Sequence, residues 1–111
     1  MISEAQLADR VHDLAVRCGW RTAHFRTSQN SHGEHSTAVQ YEGAGFPDLV
    51  LVHPKRHLVL FRELKSSRGS TTDAQVHWLN DLTAAHADAA VWRPSDWFQI
   101  MHLLSDGRAK E

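Results

Sequence analysis

The chain has 111 residues, the size of one domain, and its 41% hydrophobic and 23% charged content fit a soluble globular protein. A formal net charge of −1 with His neutral excludes a generic basic coat for nucleic acid, though not a local cationic patch. No apolar run approaches the roughly 20 residues of a membrane span, Met1-Ile2-Ser3-Glu4 begins no secretion signal, and the single Cys18 rules out an internal disulfide. A cytoplasmic protein is the expectation.

Residues 3 to about 19 predict the first helix. Ser3 is its N-cap, Gln6 stands at the capping-box position, and Ile2 and Leu7 sit where a hydrophobic staple would. Leu7, Val11, Leu14 and Cys18 recur at helical spacing, and Gly19 is the stop. Glu4 falls beside Leu7 and Val11 on the helical wheel, where a first-turn carboxylate also gains from the helix dipole. Residues 20–26 alternate loosely and predict a first strand. His24 in it is a half-buried strand residue or a contact for phosphate. Residues 27–44 form a polar, Gly-containing loop, and loops of that length in a compact domain usually carry function or lack order. His32, Glu34 and His35 have zinc-ligand chemistry, but no matching pair stands elsewhere and no Cys helps. An approach to substrate, or ordering only on binding, is the better reading of that loop.

Leu49 to Val52 and Leu58 to Phe61 are short β-rich runs around a turn at residues 53–57, with Pro54 early in the turn. Four apolar residues in succession predict strands buried on both faces. Asp48 begins the first strand, and Glu63 and Lys65 end the second. Strand side chains alternate, so Glu63 and Lys65 share a face, and the hairpin brings Asp48 beside Glu63. Two carboxylates and an ammonium at the edge of an apolar sheet make a divalent-cation site. Taken singly, each charge is an ordinary surface or ion-pair residue. Their coincidence beside apolar runs is the signal.

Residues 66–72 form a polar loop, in which Ser66 and Arg68 are candidates to track a phosphate. A helix follows from Thr72 to about Ala87. Gln75 completes a capping box with Thr72, yet on the wheel it also falls among Trp78, Leu79, Leu82 and His86. Residues 89–92 form the last strand, and strand, helix, strand implies a crossover and a parallel pair. Ser95 is the expected cap of a final helix bearing Trp97, Ile100, Met101 and Leu104 on one side. One domain over residues 1–106 is expected, with 107–111 a frayed tail. Two groups of cations, Arg10, Arg17, Arg21 and Arg26, then Lys55, Arg56, Arg62, Lys65 and Arg68, are either solvated or meet phosphate.

Pro47-Asp48, then Glu63-Leu64-Lys65, resembles the PD-(D/E)XK nuclease signature. Gly45-Phe46-Pro47-Asp48, Glu63-Leu64-Lys65, Gln75, Trp78-Leu79 and Leu82 in this order resemble the VRR-NUC branch, the virus-type replication and repair nucleases. The resemblance runs from about Glu4 to Leu104. It implies an α/β fold with a restriction-endonuclease-like core, αβββαβα, a mixed sheet flanked by helices. It further implies a metal-dependent endonuclease on DNA, cutting junctions or flaps or nicking, of phage or bacterial origin. Asp48 and Glu63 would ligate Mg²⁺ or Mn²⁺ with the Leu64 carbonyl and Glu4, since the family often carries a Glu on its first helix. Lys65 would orient water or stabilise charge, and Gln75 would support it. His24, Arg26, Ser66 and Arg68 are candidate substrate contacts, and a homodimer is expected because junction cutters generally use two sites. The alternative is a catalytically silent nucleic-acid-binding module on the same fold.

Overall fold

The computed structural model describes residues 2–25, 28–29, 35–36 and 39–105. Arg26, His32, Glu34, the side chain of His35 and the tail 107–111 lie outside the described residues. The elements are helix α1 (Glu4–Arg17), strands β1 (Arg21–His24), β2 (Ser28–Gln29), β3 (His35–Ser36), β4 (Leu49–His53) and β5 (Leu58–Leu64), helix α2 (Asp73–Ala84), strand β6 (Asp88–Trp92) and helix α3 (Trp97–Leu104). The central sheet runs β1-β4-β5-β6. Its first three strands are antiparallel neighbours, and β6 lies parallel to β5 after the α2 crossover. This is the expected mixed sheet flanked by helices. One addition is a short antiparallel pair, β2 with β3, inside the stretch expected as a loop.

Helix α1 starts as its sequence dictates. Ser3 Oγ accepts from the Gln6 N–H at 3.1 Å, and Gln6 Oε1 accepts from the Ser3 N–H at 2.8 Å. Its end is a Schellman turn. The Gly19 N–H donates to Val16 O (3.3 Å) and the Trp20 N–H to Ala15 O (2.9 Å), with Gly19 at φ +91°. A Cβ there would stand 3.0 Å from His53 Nε2, so glycine suits the position twice over. Helix α2 ends with the same two bonds, His86 N–H to Thr83 O and Ala87 N–H to Leu82 O, both close to 3 Å (3.0 and 2.8 Å). Here His86 takes the left-handed position at φ 69°. The helix therefore stops at Ala84, before the expected residue 87, and His86 is exposed instead of joining the apolar face.

The sheet buries one face well. Leu49, Leu51, Leu60, Leu64 and Trp92 pack against Leu7, Val11 and Ala15 of α1 and Ile100 and Leu104 of α3. Each such side chain sealed from water contributes about 1.5–3 kcal/mol. Among the described helices the other face meets α2, which has no buried residue, with Phe46 packed between Phe61 and Trp78. There Val50 and Phe61 are half-buried and Val59 is 46% exposed. The expectation of strands buried on both faces is thus corrected: β4 alternates buried and half-buried residues, because one short helix cannot cover the second face. Helix α3 also departs from expectation. A tight turn, Pro94–Asp96, precedes it, and Ser95 does not cap it. Asp96 Oδ2 instead accepts from the Arg93 N–H at 2.8 Å. Among the described residues, no helix is long and apolar enough to cross a membrane.

Candidate active site

Strand register assembles the site. Leu49 pairs with Arg62, so Asp48, one step earlier, falls beside Glu63, one step later. His24 pairs with Leu49, which brings His24 to the same edge. The Phe25 N–H donates to Asp48 O at 2.7 Å, tying β1 to that turn. Pro47 is fully buried, and Gly45 holds φ +87°. A Cβ on Gly45 would lie 2.6 Å from the Ala74 carbonyl carbon. The first turn of α2 therefore docks directly on the segment that carries Asp48, and the next residue, Gln75, reaches Glu63.

The structure brings together Asp48, Glu63, Lys65, Gln75 and His24. Asp48 Oδ1 accepts from the Leu64 N–H at 2.9 Å. Its Oδ2 stands 3.9 Å from His24 Nε2. Glu63 Oε2 accepts from Gln75 Nε2 at 3.0 Å and lies 3.7 Å from Lys65 Nζ. Gln75 makes two sets of contacts, one to the helix cap and one to Glu63. Its Oε1 accepts from the Thr72 N–H (2.9 Å), Thr72 Oγ1 accepts from the Gln75 N–H (3.2 Å), and its amide still donates to Glu63. Glu63 Oε1 is buried and has no hydrogen-bond partner among the described residues, and the same holds for Arg62 Nε.

Positive charge is short here. Burial, first, and the neighbouring Asp48 carboxylate, second, push the Glu63 carboxyl up to about 7, against the opposing pull of Lys65. Burial likewise pushes Asp48 up to about 6, although the Leu64 N–H bond works the other way. The Glu4 carboxylate raises both. Glu4 is exposed on the first turn of α1, a departure from the wheel reading that set it beside the buried Leu7 and Val11. Among the described residues, no three His, Cys, Asp or Glu side chains already enclose a metal. The donor set still fits a hard dication. Two crowded carboxylates, one with an unused buried oxygen, and backbone carbonyls are oxygen ligands, and Mg²⁺ keeps several waters of its own.

The remaining candidates divide. Ser66 serves its own turn: its Oγ accepts from the Gly69 N–H (3.0 Å). Arg68 is exposed beside it. Two cations leave the set offered to phosphate. Arg62 is 4% exposed, and it donates to Asp88 Oδ1 at 2.9 Å while lying over the Trp92 ring. Arg56 donates to Leu103 O and Leu104 O at the end of α3. One residue goes unmarked in sequence. Arg93 Nη1 donates to Ser66 O (2.8 Å) and Gly69 O (2.7 Å), stapling the turn that follows Lys65. Its partners are backbone carbonyls, which leave no side-chain pattern to read.

The arrangement can bind a cation at two carboxylates with an ammonium alongside, the equipment of phosphodiester hydrolysis. A family model described as the VRR-NUC domain matches residues 4–96. No curated protein and no solved structure matches. The matched span takes in Glu4, Asp48, Glu63, Lys65 and Gln75, and the sheet around them has the PD-(D/E)XK-like order. This chain belongs to the VRR-NUC domain family of PD-(D/E)XK-type nucleases.

Proposed function

We propose that the protein is a divalent-metal-dependent endonuclease that hydrolyses DNA phosphodiester bonds, acting on junctions or flaps or by nicking, in the cytoplasm of a bacterium or a phage-infected cell. The observation that carries the proposal is the buried Glu63 Oε1, unpartnered among the described residues, beside the half-buried Asp48 carboxyl, both with raised pKa values. Asp48 and Glu63, with the Leu64 carbonyl and Glu4, would hold Mg²⁺ or Mn²⁺. Such an ion polarises the phosphate and acidifies bound water.

The chain's own groups do the rest. Gln75 fixes one Glu63 oxygen and leaves the other for the ion. The Leu64 N–H fixes one Asp48 oxygen in the same manner. Lys65 orients water and meets charge that develops on the phosphate. His24 and Arg68 stand as phosphate contacts at the rim, with Ser66 at the turn, and Arg26 completes the substrate set proposed from sequence. A homodimer would present two sites to two strands.

Supercoiled plasmid, four-way junctions and flaps, with Mg²⁺, Mn²⁺ or EDTA, test this beside Glu63→Ala and Lys65→Ala. Metal-dependent cutting absent from both variants is expected. Equal behaviour of wild type and variants on every DNA overturns the catalytic reading.

A further inference from the structure

A cavity of about 340 Å³ opens outside the carboxylate cluster, between the start of α1, the turn after Lys65 and the start of α3. Ile2, Pro94 and Trp97 give it apolar and aromatic walls, Ser67 and Ser95 supply hydroxyls, and Arg10 supplies a cation. Among the described residues no carboxylate lines it, in contrast to the cluster of Asp48 and Glu63. Its position is tied to that cluster through the chain. Ser67 follows Lys65 by two residues, and the Ser66–Gly69 turn that holds it is stapled by Arg93, whose successors Pro94 and Ser95 also line the cavity.

We propose that this cavity takes one unpaired nucleobase of the DNA strand whose phosphate lies at Glu63 and Lys65. The inference rests on the nuclease reading and names its substrate class: DNA with a nucleotide displaced from the stack. A single base is the occupant that matches a small cavity with an aromatic wall, two hydroxyls and one cation. The aromatic wall offers stacking, which tolerates any base. The hydroxyls offer hydrogen bonds to a base edge, and Arg10 meets the adjoining phosphate without a competing carboxylate. A duplex with every base stacked cannot enter. Junctions, flaps and frayed ends present the displaced base at little cost, because unstacking is cheapest where pairing is already lost.

The test has a binding arm and a cutting arm. In the first, a single-stranded oligonucleotide with a central 2-aminopurine is titrated into wild type and Ser95→Trp, which fills the cavity from an exposed turn position. A change in 2-aminopurine emission and about tenfold weaker binding to the variant are expected, the order of one stacked base. Circular dichroism of Ser95→Trp checks its fold, and Arg10→Gln gives a second variant with the walls intact and an expected weakening of several-fold. Wild-type binding indifferent to an abasic site in place of the 2-aminopurine overturns the proposal, as does equal binding by all three proteins. In the second arm, once the cut position is mapped, an abasic nucleotide beside it should raise KM about tenfold for wild type and leave Ser95→Trp unmoved. Cutting that depends on Glu63 but ignores the abasic site sinks the cavity and spares the nuclease. Emission changes without any cutting spare the cavity as a base site and sink the catalysis.

Discussion

Arg62 and Glu63 are neighbours on β5, point to opposite faces of the sheet, and are 4% and 3% exposed. Arg62 is neutralised, although its Nε, like one Glu63 oxygen, is buried without a hydrogen-bond partner among the described residues. Its guanidinium donates to Phe61 O, Asp88 O and Asp88 Oδ1 and lies 4.7 Å from the Trp92 ring centroid. Burial lowers its pKa, and Asp88 opposes that shift without cancelling it. Glu63 is provided for only in part. Lys65 and Gln75 serve one oxygen, a second carboxyl presses on it, and the other oxygen has nothing. Burial of charge therefore does not distinguish a working residue from a structural one. The charge balance does: each residue leaves one buried atom unpartnered, but Arg62 faces the opposite charge of Asp88, whereas Glu63 faces the like charge of Asp48, an excess that a bound cation would relieve.

Glu63→Gln should show the largest effect and in two directions. Cutting should fall about a hundredfold or more, since a Lewis-acid contact is worth several kcal/mol and about 1.4 kcal/mol is tenfold in rate. The metal-free fold should gain up to about 3 kcal/mol at pH 8, the size implied by a carboxyl raised from 4.5 to about 7. Urea denaturation in EDTA reads the second effect. A variant that is both inactive and destabilised would erase the contrast between the two residues.

The pH dependence has a fixed sign. A carboxyl whose folded pKa is raised holds its proton more tightly in the fold than in the unfolded chain. Its favourable contribution is complete below the ordinary values of 3.8 and 4.5, and it is lost as pH rises through about 6 for Asp48 and about 7 for Glu63. The stability gap between wild type and Glu63→Gln should thus widen from pH 4 to pH 8 in EDTA. Mg²⁺ acts the other way. It binds the ionised pair, so it should raise the wild-type Tm more at pH 8 than at pH 5 and barely move Glu63→Gln. A wild-type Tm indifferent to Mg²⁺ at pH 8 would remove the cation from the account.

On the paired side the expected costs are smaller and unequal. Asp88→Asn leaves a buried guanidinium without its carboxylate and should cost about 2 kcal/mol, a discounted figure because the Asp88 side chain is 53% exposed. Arg62→Leu removes the buried charge itself and should cost less, within about 1 kcal/mol, since apolar replacement of a buried ion is often neutral. Thermal melts of the two variants compare them directly. If Arg62→Leu proves the costlier, the guanidinium contributes through packing on Trp92 more than through charge.

Asp48, Glu63 and Lys65 were legible because a two-residue period and a short hairpin are local facts, and they alone bring the three together. Arg62 looked like Lys65 in the same strand. Strand parity sends it to the other face, but its partner Asp88 is supplied by the parallel register with β6, which no local pattern prints. Helix ends divide similarly. Gly19 announces the end of α1, whereas His86 does the same at the end of α2 with a residue that reads as helical. The half-bare second face of the sheet was hidden as well, because a run of apolar residues states what could be buried and not what arrives to cover it.

Gln75 gives the smallest effect and the finest division between support and chemistry. It belongs to a helix cap and to the Glu63 carboxylate at once. Thr72→Ala deletes the acceptor for the Gln75 N–H but keeps Gln75, so it should cost about 1 kcal/mol of stability and leave cutting intact. Gln75→Ala deletes its half of the cap and the donor to Glu63 Oε2. Its stability cost should be similar or lower, because the same change frees Glu63 to keep a proton, and cutting should fall about tenfold with kcat carrying the loss. The pH midpoint of activity should also move upward, since Glu63 has lost a donor that favours its charged form. Equal losses of stability with equal activity would confine Gln75 to the cap. Equal stability with unequal activity, and a shifted midpoint, would join the helix start to the carboxylate it touches.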